Sequence, residues 1–276
     1  MKMQDMKMSN LCRKLRSMME EPNFALRTSM EVLDELFGHE YDSRKTRKVN
    51  RLLSKAHLKY PSATLDDSLN DADRKIDVDL IQRLSKCGWI NEKKNLIVTG
   101  KAGTGKTYIV NGLAICAIQQ GKQVLYTKAS LMINELNDCM FTGNYTSSLR
   151  KYTEPDLLVI DDFGLMSLDA QKCQQMFEVL DSREGSKSVI VISQVPVKKW
   201  YEIFQNNVYA DACMSRLVHN AYRLELNGRD MRKPVSKTKD ETHGCHAVTA
   251  TAGAVLERKP FRRSRYIDQQ HQKKPR

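Results

Sequence analysis

Eight consecutive residues carry the chemistry that is easiest to read: Gly100-Lys101-Ala102-Gly103-Thr104-Gly105-Lys106-Thr107, a Gly-x-x-x-x-Gly-Lys-Thr run. An apolar stretch, Leu96 to Thr99, precedes it, and a helical pattern from Tyr108 to Gln120 follows. A strand before and a helix after are the context in which this spacing grips phosphate. Glycines let the loop wrap a phosphate group without Cβ clashes. Backbone N–H groups and the positive end of the helix then point at one place. The Lys106 ammonium is spaced to reach the β- and γ-phosphates of a nucleoside triphosphate, and the Thr107 hydroxyl to bind Mg²⁺. Gly100, Ala102, Gly103, Thr104, Gly105, Lys106, Thr107 and Tyr108 are therefore the expected nucleotide-binding residues.

A second apolar run, Leu157 to Ile160, delivers two acids, Asp161 and Asp162. Ligands of α/β proteins sit at the carboxyl ends of strands. Asp161 is thus expected to partner Mg²⁺, and Asp162 to orient or activate an attacking water. A third run, Ser188 to Ile192, leads to Ser193 and Gln194, whose polar side chains are placed to meet a γ-phosphate or that water. Arg216 lies on a helical stretch, Asp211 to His219, and offers a cation for the charge that develops on a transferring phosphoryl group. Arg232, within Gly228 to Lys233, is a further cation able to contact the nucleotide of its own subunit.

Strands alternating with helices, including Gln123 to Tyr126 and Leu131 to Met140, predict an α/β domain with a mostly parallel sheet buried on both faces. Residues 10 to 60 read instead as helices. Leu11, Leu15 and Met18 recur at helical spacing, and Pro22 stops that segment. Thr28-Ser29-Met30-Glu31 has the form of a capping box; Met30, Leu33 and Phe37 follow on one face, and Gly38 is expected to close the helix. The next predicted helix carries an apolar stripe, Val49, Leu52, Leu53 and Ala56, and ends at Tyr60-Pro61. Its other face holds Arg44, Lys48, Arg51 and Lys55 at i, i+4, i+7, i+11, reinforced by Lys45 and Arg47. Those six side chains form a face for anions, the alternative being a solvated basic face; with the resemblance given below they become the expected DNA-binding residues.

Composition agrees with an anionic partner. The 276 residues carry a formal net charge of +12, a magnitude that suggests a polyanion, or else serves solubility alone. No run approaches the ~18 apolar residues of a membrane span, and the first residues lack the apolar stretch of a signal peptide. The seven cysteines are scattered and odd in number, which suits reduced thiols in the cytoplasm. His243-Gly244-Cys245-His246 has no second ligand cluster to complete a structural zinc site. After about Val235 the sequence turns polar and basic, and it reads as disordered.

These segments, in this order, resemble the IstB-type transposition helper ATPases, relatives of the DnaC-type helicase loaders within the AAA+ class. The particular parts are Leu157 to Gly164, Ser193 to Trp200, Ala210 to Lys233, and the joining segment Tyr60 to Asp66. The resemblance implies a P-loop AAA+ ATPase fold behind a small all-α N-terminal domain. It covers roughly residues 10 to 235 and implies a helical DNA-binding and oligomerisation domain (1–65) and an ATPase domain (66–235); the basic tail (236–276) is not part of the shared pattern. The resemblance makes Arg216 the arginine finger of a neighbouring subunit, Arg232 the second sensor, and Ser193 or Gln194 the first. ATP and Mg²⁺ become the cofactors. Double-stranded DNA, a cognate transposase and further copies of the chain, in a ring or helical filament, become the partners. A replicative helicase loader would share the core but grip a helicase through its N-terminal region; a small-molecule kinase would need an arginine-bearing lid that is not evident. One departure is Asp162, where many relatives carry Glu, so slow hydrolysis is expected.

Overall fold

The computed structural model describes residues 6, 8–66, 76–228, 230 and 231. Five short strands form its centre: β1 (Asn95–Gly100), β2 (Val124–Lys128), β3 (Leu157–Phe163), β4 (Ser188–Ser193) and β5 (Ala221–Leu226). They lie in the order β2-β3-β4-β1-β5, and every neighbouring pair is parallel. The side chains explain the depth of the sheet. Leu96, Val98, Val159, Ile190 and Ile192 enter one apolar layer. Ile97, Leu158, Ile160, Val189 and Val191 enter the other. A strand with both faces buried has no use for polar alternation, so its sequence reads as a continuous apolar run.

Helices cover both layers. The chain supplies α1 (Ser9–Met19), α2 (Ser29–Lys55), α3 (Val78–Ser85), α4 (Gly88–Asn91), α5 (Lys106–Gln119), α6 (Ala129–Thr142), α7 (Tyr145–Thr153), α8 (Ala170–Arg183) and α9 (Asn207–Val218). Two 3₁₀ turns, Phe24–Leu26 and Val197–Ile203, complete it. Residues of α5 pack into the first layer, and residues of α6, α8 and α9 into the second.

The N-terminal region differs from its expected form. Gly38 does not close a helix; α2 runs unbroken for 27 residues through it and stops at Lys55, short of Tyr60-Pro61. A mid-helix glycine costs about 1 kcal/mol relative to alanine. Leu36, buried against α1, and the Glu40–Arg44 pair hold the helix together on either side of it. The capping box forms as spelled: Glu31 N–H donates to Thr28 Oγ1 at 3.3 Å, and Thr28 N–H donates to Glu31 Oε2 at 2.8 Å. Met30, Leu33 and Phe37 share a face, but that face meets solvent. Leu11, Met18 and Leu36 form a small core of their own, whereas Leu52 and Ala56, at the other end of α2, join the sheet's first layer. One long helix therefore belongs to both cores.

Strand β5 was not evident in the sequence. It is an edge strand on which Leu224 and Leu226 are buried while Arg223 and Glu225 face solvent. Among the described residues no helix is long and apolar enough to cross a membrane. Cys12, Cys87, Cys116, Cys139, Cys173 and Cys213 are free thiols.

Candidate nucleotide site

The loop between β1 and α5 is shaped by its glycines. Gly103 and Gly105 both have φ of +82°, in the left-handed region. At Gly100 a Cβ would stand 2.3 Å from the backbone oxygen of Leu226 on β5, so only hydrogen fits. Lys106, the first residue of α5, is buried, and its Nζ donates to the carbonyls of Gly100 (2.6 Å) and Lys101 (2.7 Å). The Thr104 hydroxyl also donates to Lys101 O at 3.0 Å. The loop is thus closed on itself around the lysine. Asp230 packs against Gly103.

Strand β3 brings the acids to this loop. Its pairing with β4 shifts register between Ile160 and Phe163, the stretch that holds both acids. The Thr107 hydroxyl donates to Asp161 Oδ2 at 2.9 Å. Tyr126 Oη donates to the same oxygen at 2.6 Å, and the Asp162 N–H donates to Oδ1 at 2.7 Å. Burial first, and the hydrogen bond to Asp161 second, push the Tyr126 hydroxyl far above its ordinary pKa, so it stays a donor. Asp162 has φ of +58°, uncommon for a non-glycine residue. Its carboxylate pairs with Lys128 Nζ at 2.9 Å, and that hydrogen bond raises the lysine's pKa.

Ser193 and Gln194 differ in their surroundings at the end of β4. The Ser193 hydroxyl donates to Phe163 O (2.6 Å) and accepts from Val195 N–H (3.0 Å), so it ties β4 to the end of β3. Gln194 is exposed and lines the cavity. That cavity, of about 520 Å³, runs from the loop to Asp161 and Asp162 and includes Ala102, Thr107 and Tyr108. Lys59 and Tyr60 form another part of its wall. The Tyr60 ring lies 5.7 Å from that of Tyr108, and Tyr60 N–H donates to the Oδ1 of Asn111, a buried residue of α5.

Mg²⁺ suits these donors. It prefers one or two carboxylates with substrate phosphates and waters over an all-protein cage. Thr107 and Asp161 offer two hard oxygens side by side. Among the described residues no cluster of three or more His, Cys, Asp or Glu side chains has the form of a complete metal cage.

Arg216 stands elsewhere. Its carbonyl accepts from Asn95 Nδ2 at 2.8 Å, at the start of β1, whereas the loop begins at the end of that strand. Five residue steps of ~3.3 Å, from Asn95 to Gly100, separate the two ends by roughly 16 Å. The guanidinium pairs with Asp181 and Glu184 and lies 4.6 Å from the Phe177 ring centroid. Arg232 lies outside the described residues, as does His243-Gly244-Cys245-His246. Arg44, Lys45, Arg47, Lys48, Arg51 and Lys55 are all exposed on α2. Glu40, itself buried, draws Arg44 (2.6 Å) and Arg47 (3.8 Å) to one carboxylate oxygen.

A parallel sheet in this order, with a phosphate loop after β1 and acids after β3, defines the P-loop AAA+ class of nucleotide-binding proteins. Within that class the chain belongs to the IstB-like ATP binding protein family, whose family model matches residues 1–239. It is 32% identical over 203 residues to the insertion sequence ATP-binding protein y4uH of Sinorhizobium fredii, covering 74% of this chain and 82% of that relative. It is 34% identical over 166 residues to the insertion sequence IS1162 ATP-binding protein of Pseudomonas fluorescens, covering 60% of this chain and 72% of the relative. Among solved structures, DnaI matches with a TM-score of 0.52 and 20% identity, over 66% of this chain and 93% of DnaI. The DnaC helicase loader matches with a TM-score of 0.51 and 17% identity, over 61% of this chain and 99% of DnaC. Both structures share the fold.

Proposed function

We propose that this ATP-binding protein hydrolyses ATP and assembles on duplex DNA as the helper of a transposase. The observation that carries the reading is the separation of Arg216 from the loop of its own chain. A cation at the far end of the sheet serves a neighbour's nucleotide, and such a head-to-tail contact repeats into a ring or helical filament. In each site Lys106 holds the phosphates, Thr107 and Asp161 take Mg²⁺, Asp162 prepares the water, and Gln194 senses the γ-phosphate with Ser193 bracing it. Bound Mg²⁺ would neutralise charge on the phosphate oxygens. Arg216 leaves Asp181 and Glu184 to complete the next subunit's site, and Arg232 contacts the nucleotide of its own. Residues 1–65 then act as the DNA-binding and oligomerisation part, 66–235 as the ATPase and 236–276 as a basic tail. Repetition of the Arg44–Lys55 stripe gives salt-sensitive, mostly sequence-independent affinity.

Sedimentation on a random duplex tests this directly. Wild type is expected to form large DNA-bound particles only with ATP, and Lys106→Ala and Arg216→Ala to form none. Arg44→Glu with Arg51→Glu should weaken DNA binding and flatten its salt dependence. A wild type that stays monomeric on DNA at saturating ATP would overturn the assembly. A helicase-loader role would then come forward.

A further inference from the structure

Tyr126 is a strand residue that the nucleotide reading leaves without a role. Its ring belongs to the sheet's first apolar layer and is 9% exposed. Phenylalanine would fill that space equally well; the hydroxyl alone distinguishes tyrosine. That hydroxyl reaches Asp161 Oδ2 at 2.6 Å, across the pair formed by β2 and β3. Its main chain is tied as well, because the Tyr126 N–H donates to Ala56 O at 2.8 Å where α2 ends.

Three donors converge on Asp161: Thr107 and Tyr126 on Oδ2, and the Asp162 N–H on Oδ1. They are not equivalent. The Thr107 oxygen is itself a prospective metal ligand. The Asp162 N–H belongs to the next residue and swings with the same turn. Tyr126 alone is anchored in a separate strand and does not compete for the ion. A carboxylate ligand needs such an outer partner to fix the direction of its lone pairs.

We propose that Tyr126 is a positioning residue that aims the Asp161 carboxylate at Mg²⁺; this rests on the ATPase reading above. Tyr126→Phe keeps the ring and the backbone bond to Ala56 and removes only the hydroxyl. Loss of an outer-shell partner costs ~10–100-fold in metal affinity or activity. Binding of a fluorescent ATP analogue is to be titrated with Mg²⁺ for wild type and Tyr126→Phe, with turnover followed across the same Mg²⁺ range. The variant is expected to need about tenfold more Mg²⁺ for half-saturation. Its metal-free nucleotide affinity should match wild type, which verifies the fold, and its kcat should recover as Mg²⁺ saturates. Half-saturation within twofold of wild type would refute the assignment to Tyr126 while leaving the ATPase reading intact. A wild type whose nucleotide affinity and turnover ignore Mg²⁺ would overturn both.

Discussion

Asn111 offers a sharp test of how the segment after α2 is attached to the nucleotide site. Its side chain is fully buried, accepts from Tyr60 N–H at 3.0 Å and donates to Thr107 O at 2.6 Å. Asn111→Ala deletes both bonds, each worth about 1 kcal/mol net. It also leaves a void on the order of 30 Å³, which adds about 0.7 kcal/mol at ~24 cal/mol per Å³. The sum is about 3 kcal/mol. With a urea dependence of about 3 kcal/mol per molar for a chain of this size, the unfolding midpoint falls by about 1 M. Nucleotide affinity falls too, because Tyr60 loses its tether to the helix that carries Lys106 and Thr107; about tenfold is expected, or about 1.4 kcal/mol. Urea unfolding followed by circular dichroism gives the first number, and competition with a fluorescent nucleotide gives the second. Asn91→Ala, which removes an exposed contact with Lys122, is the control and should shift the midpoint little. A midpoint lowered by less than about 0.3 M for Asn111→Ala would refute the two-bond account. An unchanged ATP affinity would refute the attachment of Tyr60 to the site.

Three further outcomes are expected. Gly100→Ala drives a Cβ to 2.3 Å from the Leu226 carbonyl at φ of +150°; a cost of about 3 kcal/mol should lower Tm by about 8 °C, and calorimetry finding less than 2 °C would contradict the close approach. Glu40→Gln frees Arg44 and Arg47 from a buried carboxylate, so duplex affinity measured at low salt should rise several-fold with a steeper salt dependence; unchanged affinity would detach these arginines from DNA. Burial pushes the Cys87 thiol up to about 11 and the Cys213 thiol up to about 12. Alkylation at pH 8, mapped by mass spectrometry, should therefore spare both in the folded protein and reach the partly exposed Cys12 and Cys139 first. These raised values have a stability consequence with a definite sign: the folded state keeps protons that unfolded thiols lose near pH 9, so the contribution is complete below that pH and is lost as pH climbs toward 11 and 12.

The sequence displayed those parts of the molecule whose cause is local. Gly-x-x-x-x-Gly-Lys-Thr, the two acids after an apolar run and the Thr28–Glu31 capping box each sit within a few residues, and each formed. What stayed hidden depends on partners far along the chain. Tyr126 meets Asp161 across 35 residues, and Lys128 meets Asp162 because the β2–β3 register sets Lys128 beside Asp161. Nothing in Val124 to Lys128 announces that register. Ser193 shows the reverse: its type and place suit a sensor, but its hydroxyl is held by Phe163 and Val195, a demand visible only once the two strand ends adjoin. Gly38 suggested a helix end because glycine so often supplies one; packing at Leu36 and pairing at Glu40 outweighed that preference. Strand β5 escaped notice because Arg223 and Glu225 interrupt the apolar run that marked the inner strands.

The unbroken course of α2 has a mechanical consequence. A helix of 27 residues at ~1.5 Å per residue is about 40 Å long. It is held at its C-terminal end, where Ala56 O meets Tyr126 and Leu52 enters the sheet's apolar layer. Two helices hinged at a glycine would absorb a disturbance there, but one continuous rod transmits it. A tilt of 5° at the held end carries the far end through about 3.5 Å, comparable to the rise of one base pair along a duplex. Motions far too small to rearrange the phosphate loop are thus enlarged toward Ser29, where α2 packs on α1, while the Arg44–Lys55 segment beside the anchor moves little.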